Sequence, residues 1–396
     1  MFDKLTVRDA DVRGKRVLVR VDFNVPLSEG SVTDDTRIRA ALPTLRYLVD
    51  HDARVIIVSH LGRPKGEPDP KYSLRPVRRV VARLLGRNVH FVDQVVGPDA
   101  TEAVERMVDG ELIMLENVRF HPGEKENDPQ FAKDLASLAD VYVNDAFGAA
   151  HRAHASTVGV TEHLPAYAGI LLAREVETLT EMLAHPERPF VAILGGSKVS
   201  DKFGVIDRFL DVVDTLLVGG GMCFTFLVAQ RIGVGKSLVE DEWVEPAKEM
   251  LAKAADKGVD LMLPVDFVVA DAMAEDAETK MVGREEIPPH MMGLDIGPTT
   301  VELYKGAISS AKTIFWNGPM GVFELTPFET GTREVAVAVA RNNRAVSVIG
   351  GGDSVAALKK FGVEGRVTFV STGGGASMKL LEGSELPGLE ALSDRE

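Results

Sequence analysis

Five glycine-rich turns in the second half of the chain each follow a short apolar run: Gly195-Gly196-Ser197-Lys198, Gly219-Gly220-Gly221, Asn317-Gly318-Pro319, Gly350-Gly351-Gly352-Asp353-Ser354 and Thr372-Gly373-Gly374-Gly375. Glycine turns let backbone N–H groups approach a phosphate closely, above all where a helix begins. In the first half the loops after apolar runs carry cations and polar groups instead. Asp22 and Asn24 stand in Arg20–Pro26, His60 and Arg63 in Ser59–Pro64, Arg119 after Glu111–Leu115, and Arg152 in Asp145–His154. Guanidinium groups clamp an anion bidentately, and arginines placed after separate strands of one sheet converge on one crevice. Two kinds of anion site on two halves fit an enzyme that moves phosphate between a nucleotide and a small acid.

Lys198 and Lys202 are four residues apart, read here as one face of a helix start, where the helix dipole favours anions over cations. A polyphosphate between the two ammonium groups resolves that conflict. An acid beside a phosphate loop needs a bridging Mg²⁺, so Asp353 is the candidate metal contact, with an N-cap role for the Ser354–Lys360 helix compatible with it. Glu324 is placed to hydrogen-bond a ribose hydroxyl, and the glycines at 373–375 open a helix that can face a transferring phosphoryl group. His151 and His154 lack a third ligand at a zinc spacing. Gly233-Val234-Gly235-Lys236-Ser237 ends like a P-loop, but Gln230 replaces its first glycine, and no dinucleotide glycine motif follows the first strand.

The elements that must position these residues read as strand–helix alternation. Arg16–Val21, Arg54–Ser59, Glu111–Leu115 and Val141–Asn144 are non-alternating apolar runs, as expected for parallel strands covered on both faces. Helical spacing marks Thr36–Asp50, Leu74–Leu85, Asp99–Met107 and Pro129–Leu138. Ala168–Ala184 reads as a helical connector with no strand beside it; alternation resumes from Phe190 to Ser371, with a polar excursion at Asp271–Pro289 holding a β-hairpin. The pattern implies an α/β fold: two Rossmann-like domains, each a mainly parallel sheet with helices on both faces, joined by a hinge helix.

The 396 residues, 45% hydrophobic and 26% charged, suit two or three globular domains. A net charge of −14 argues against a nucleic-acid partner. One cysteine, Cys223, forbids an internal disulfide framework and fits a reducing cytosol. With no signal peptide and no long apolar run, a cytoplasmic protein free of membrane is expected.

Val17–Pro26, Ser59–Pro64, Leu115–Phe120, Asp145–Ser156, Gly195–Lys202, Trp316–Glu324, Gly350–Ser354 and Ser371–Ser377 together resemble the bacterial phosphoglycerate kinases, in family order and from end to end, with no departure at a position the family uses. The resemblance implies reversible transfer between 1,3-bisphosphoglycerate and MgADP, giving 3-phosphoglycerate and MgATP, by a monomer. It implies a 3-phosphoglycerate domain at 1–170, an interdomain helix at 171–185, a nucleotide domain at 186–378 and a segment at 379–396 returning to the first domain. Substrate would be bound by Asp22, Phe23, Asn24, Arg37, His60, Leu61, Gly62, Arg63, Arg119 and Arg152. The nucleotide would be bound by Lys198, Lys202, Gly293, Glu324, Gly350, Gly351, Gly352, Asp353 and Ser354, with Asp353 on Mg²⁺. Arg37, Lys202, Gly373 and Gly374 would serve the transferring group. Arg37 and Gly293 come from the resemblance alone; Arg37 sits in the plain run Thr33-Asp34-Asp35-Thr36-Arg37. A two-lobed solute-binding protein that closes on an anion shares some of these features, but the missing signal peptide and the glycine turns with Lys202 and Asp353 speak against it. An ATP-dependent ligase making an acyl phosphate shares others, but nothing in the sequence identifies an amine site.

Overall fold

A computed structural model describes residues 2–395; Met1 and Glu396, the outer ends of the expected domain ranges, lie outside the described residues. The chain divides into two compact units, Met1–Thr178 with Ser384–Glu396, and Leu179–Gly383.

The first unit is built on six parallel strands in the order Val89–Val92, Leu112–Leu115, Arg54–Val58, Arg16–Arg20, Val141–Asn144, Ala166–Ala168. The chain leaves Arg16–Arg20 first to one side and later to the other, so the crevice at the carboxyl end of that strand is the topological switch point of the sheet. Val17, Leu18 and Val19 are fully buried, as both covered faces require. Helix Thr36–Asp50 packs Ile38, Ala41, Leu42, Leu45, Leu48 and Val49 inward, the helical spacing legible in the sequence. Val89–Val92 and Ala166–Ala168 are strands that the sequence did not announce, the second directly before helix Ile170–Ala184.

The second unit repeats the layer plan with Asp260–Met262, Thr215–Val218, Phe190–Leu194, Thr313–Asn317, Val346–Gly350 and Phe369–Val370 in spatial order, again all parallel. Phe190–Leu194 and Thr313–Asn317 flank its switch point. Beside it stands an antiparallel sheet of Lys280–Gly283, Asp266–Ala270 and Met292–Ile296. The excursion at 271–289 therefore holds one strand, not a hairpin of its own: Lys280–Gly283 pairs with Asp266–Ala270, which precedes the excursion. The fold is α/β with two parallel six-stranded sheets, helices covering each. Among the described residues, no helix is long and apolar enough to cross a membrane.

Candidate active site

In the first unit, strand Arg16–Arg20 ends in a turn that carries Asp22 and Asn24. Asp22 is nearly buried and pairs with Arg37 at 2.9 Å. Arg37 lies in the first turn of helix Thr36–Asp50, the end at which the helix dipole disfavours a cation. Asp22 offsets that cost, and the unfavourable position is the one local signal that would have drawn attention to Arg37. Asn24 accepts the Gly62 N–H on Oδ1 at 2.8 Å, and the Gly62 carbonyl accepts from Arg119 Nη1 at 2.6 Å. Gly62 has φ +61°, and a side chain there would run into the Tyr72 ring, so only glycine closes this turn. Phe23 and Leu61 are buried in the hydrophobic core, which limits them to a backbone contribution.

His60 sits at the centre of this cluster. Burial first, then the charges of Arg20, Arg119, Arg152 and Arg37, hold its imidazole well below the usual histidine range, so it is neutral at pH 7. Of the strand-end arginines expected to converge, Arg119 and Arg152 are among these influences and Arg63 is not; Arg20 and Arg37 join them. Arg119 is nearly buried and is brought down to about 10, by burial and then by repulsion from Arg20 and Arg152. Its Nε is buried with no hydrogen-bond partner, an unsatisfied donor of the kind an anion would complete. Arg152 Nε is 3.1 Å from His151 Nε2. Arg63 is exposed, and its charge is not among those acting on His60.

The residue missed in this half is Arg20. It is fully buried, with Nε donating to Ser156 Oγ at 2.8 Å, Nη1 to the Val21 carbonyl at 2.5 Å and Nη2 to His60 Nδ1 at 3.1 Å. Glu124, also fully buried, lies 3.9 Å from it; burial raises its carboxyl, but His154, whose Nδ1 is 3.5 Å from Oε1, then Arg20 and Ser156, together hold it below the ordinary carboxylate range. Leaving either charge alone in that interior costs about 3–5 kcal/mol.

In the second unit the strand tips interlock. Gly195 donates its N–H to the Asn317 carbonyl, Gly196 to Pro319 and Gly220 to Met320, each at 3.0 Å. Gly220 has φ +66° and lies against the Gly196 backbone, so a side chain there would force the loops apart. Behind them opens a cavity of about 440 Å³. Gly196, Gly220, Gly293, Pro319, Glu324 and Asp353 are among the residues lining it, with Phe224, Phe267 and Leu238 as its apolar wall. This size and this mix of apolar wall with a few polar groups suit one nucleotide-sized ligand. A hollow of about 660 Å³ beside Arg87, Glu102 and Arg106 lies elsewhere in the first unit, and its cations and carboxylates nearly balance, favouring an ion of neither sign.

Lys198 and Lys202 do not share a helix face. The helix begins at Phe203, with Lys202 at its cap position and Lys198 exposed in the preceding turn, so their four-residue spacing is not a helical one. Lys202 Nζ donates to Asn317 Oδ1, and burial lowers the ammonium to about 8. Asn317, absent from the sequence reading as a site residue, keeps its Nδ2 buried without a partner.

Helix Gly352–Lys360 starts from Gly351 at φ +86°, with no side chain capping it; Asp353 is therefore inside the first turn rather than an N-cap. Its first N–H groups lack side-chain acceptors, the arrangement that receives a phosphate. Ser354 is buried and accepts the Gly318 N–H at 2.6 Å, tying two strand tips together. Glu324 is exposed on the cavity edge, and Gly293 donates its N–H to Ser237 Oγ at 2.9 Å. Gly374, at φ +52°, opens helix Gly375–Leu381, also without a side-chain cap, and Gly373 donates its N–H to Ser371 Oγ.

Among the described residues no three His, Cys, Asp or Glu side chains gather to hold a metal ion. Mg²⁺ is commonly held by one or two carboxylates with substrate phosphates and water completing its shell. The exposed Asp353, beside the uncapped helix start, fits an ion of that kind.

The family model described as phosphoglycerate kinase matches residues 7–384. The chain is 60% identical over 395 residues to a phosphoglycerate kinase of Rubrobacter xylanophilus, covering 100% of both. It is 57% identical over 392 residues to one of Moorella thermoacetica, covering 99% of this chain and 100% of the other. Solved phosphoglycerate kinase structures from Coxiella burnetii (TM-score 0.88, 43% identity) and Pyrococcus horikoshii (TM-score 0.85, 33% identity) each match across 98% of both chains. A cationic crevice on one sheet, a glycine-walled cavity on another and these matches along the full length lead to one assignment: the chain belongs to the phosphoglycerate kinase family of glycolytic kinases.

Proposed function

We propose that the protein transfers a phosphoryl group reversibly from 1,3-bisphosphoglycerate to MgADP, giving 3-phosphoglycerate and MgATP, directly and in line. The carrying observation is the pairing of a buried cationic crevice on one unit with a glycine-walled cavity beside Lys202 on the other. In this reading an oxygen of the ADP terminal phosphate forms the new P–O bond as the acyl P–O bond breaks, and the 3-phosphoglycerate carboxylate leaves with the electron pair. The protein supplies position and positive charge, since the transition state spreads charge over three oxygens. Arg119, Arg152 and His60 hold the glycerate phosphate. Arg37 and Lys202 face the moving group, aided by the N–H groups at Gly373 and Gly374. Asp353 would hold the Mg²⁺ that accompanies the nucleotide, and the ion would supply neutralisation of phosphate charge.

The test is ATP- and Mg²⁺-dependent turnover of 3-phosphoglycerate, coupled to NADH oxidation through glyceraldehyde-3-phosphate dehydrogenase. Turnover that vanishes without 3-phosphoglycerate is expected. A folded sample that binds both ligands without turnover would overturn the reading.

Two substrates held on separate units must be brought together and shielded from water, which would hydrolyse the acyl phosphate. Both ligands together are therefore expected to compact the protein more than either alone, measured as the radius of gyration in small-angle scattering; identical radii for the binary and ternary states would remove closure from the mechanism. Arg63, which is exposed, makes a ground-state contact in this reading. Arg63→Ala is expected to raise the KM for 3-phosphoglycerate with kcat nearly unchanged, and an unchanged KM would take Arg63 out of the site.

A further inference from the structure

The hydrogen bonds behind the cationic crevice run in one direction. Ser156 presents its backbone N–H to Glu124 Oε2 at 3.0 Å and its hydroxyl to Oε1 at 2.7 Å. Because that hydroxyl hydrogen is committed to the carboxylate, Ser156 Oγ is free to accept from Arg20 Nε at 2.8 Å. Arg20 then reaches His60 Nδ1 with Nη2 at 3.1 Å. A guanidinium has no acceptor, so at this distance the imidazole must supply the lone pair. The competing partner is Asp22, whose Oδ1 is 4.0 Å from the same nitrogen and beyond hydrogen-bond reach. The other charges acting on His60, those of Arg119, Arg152 and Arg37, all oppose a second proton on the ring.

We infer that Glu124, acting through Ser156 and Arg20, is a positioning residue that fixes His60 as the neutral tautomer with its proton on Nε2. His60 then contributes an N–H donor and no charge to the crevice, and the arginines supply all of its positive charge. Glu124 thus serves binding from behind the site. The consequence for substrate rests on the proposed glycerate-phosphate site, whereas the tautomer is a property of the free protein.

The experiment is ¹⁵N NMR of the full chain labelled at histidine, with the His60 signals identified by their loss in His60→Gln. Between about pH 6 and 8 the expected result is an unprotonated Nδ1 and a protonated Nε2. A protonated Nδ1, or a doubly protonated ring, overturns the inference whether or not the protein turns over 3-phosphoglycerate. In Glu124→Gln one carboxylate oxygen becomes an amide nitrogen, which cannot accept, so one of the two Ser156 donors loses its partner and the relay breaks. His60 is then expected to show mixed tautomers, and the KM for 3-phosphoglycerate to rise on the order of tenfold, with a smaller change in kcat. His60 signals unchanged in a folded Glu124→Gln protein would remove Glu124 from the role. Ser156→Ala, which deletes only the hydroxyl bridge, gives the same readout should Glu124→Gln fail to fold.

Discussion

Arg37→Ala is expected to lower kcat by about 10²–10³, the scale of losing one charge-stabilising donor at a developing anion. The side chain is one-third exposed, and its pair with Asp22 contributes under about 1 kcal/mol to the fold, so the variant should remain folded. In the free protein Arg37 is neutralised by Asp22; a transferring phosphoryl group would compete for the same guanidinium. The effect should therefore fall on kcat more than on the KM for 3-phosphoglycerate. Steady-state kinetics in both directions check this, and a loss below about tenfold would remove Arg37 from the transfer step.

Lys202→Ala should have an effect of similar size, again about 10²–10³ in kcat. Lys202 adds a dependence on pH. Burial lowers its ammonium to about 8, so as pH rises through that value the free protein loses the charge that meets the nucleotide phosphates. The expected profile of kcat/KM for ADP is level below about pH 8 and declines above it. Bound phosphate favours the ammonium, so the profile of kcat should turn down at higher pH than that of kcat/KM. Lys202→Arg, whose guanidinium does not titrate there, should flatten the decline at a lower plateau. A wild-type kcat/KM profile level beyond pH 9 would contradict the assignment.

Much of the fold was legible because burial on both faces leaves its mark on single strands. Val17–Val19 and Val55–Val58 are uniformly apolar, and helix Thr36–Asp50 has the bounds the sequence predicts because its inward residues repeat at the helical period. Val89–Val92 escaped because an exposed His90 interrupts a four-residue run, and Ala166–Ala168 because alanine carries no strand preference. The shared helix face expected of Lys198 and Lys202 fails for a different reason. Sequence spacing does not say where a helix starts, and here an irregular turn carries both residues before Phe203.

The site followed the same division. Arginines after strands could be expected to converge. Arg20, inside a strand, read as the last polar residue of an apolar run; its role depends on Glu124 and Ser156, which are 104 and 136 positions away and meet it only in the folded unit. Asn317 stands in a glycine turn of the sequence, yet its capture of Lys202 depends on two neighbouring strand tips.

The first unit is also discontinuous in the chain. Asn144 Nδ2 donates to the Gly388 carbonyl at 2.9 Å, the Ser393 N–H to the Ala166 carbonyl at 3.0 Å, and Lys4 pairs with Asp394 at 2.6 Å. The ribosome makes residues 179–383 between the two parts. The second unit is therefore available to fold as an uninterrupted stretch, whereas the first, although begun earlier, waits for residues 384–395 before its last buried hydrogen bonds can form. Order of synthesis and order of completion are reversed: the loop that bears Arg152, anchored through Asn144, is among the last parts of the protein to be secured.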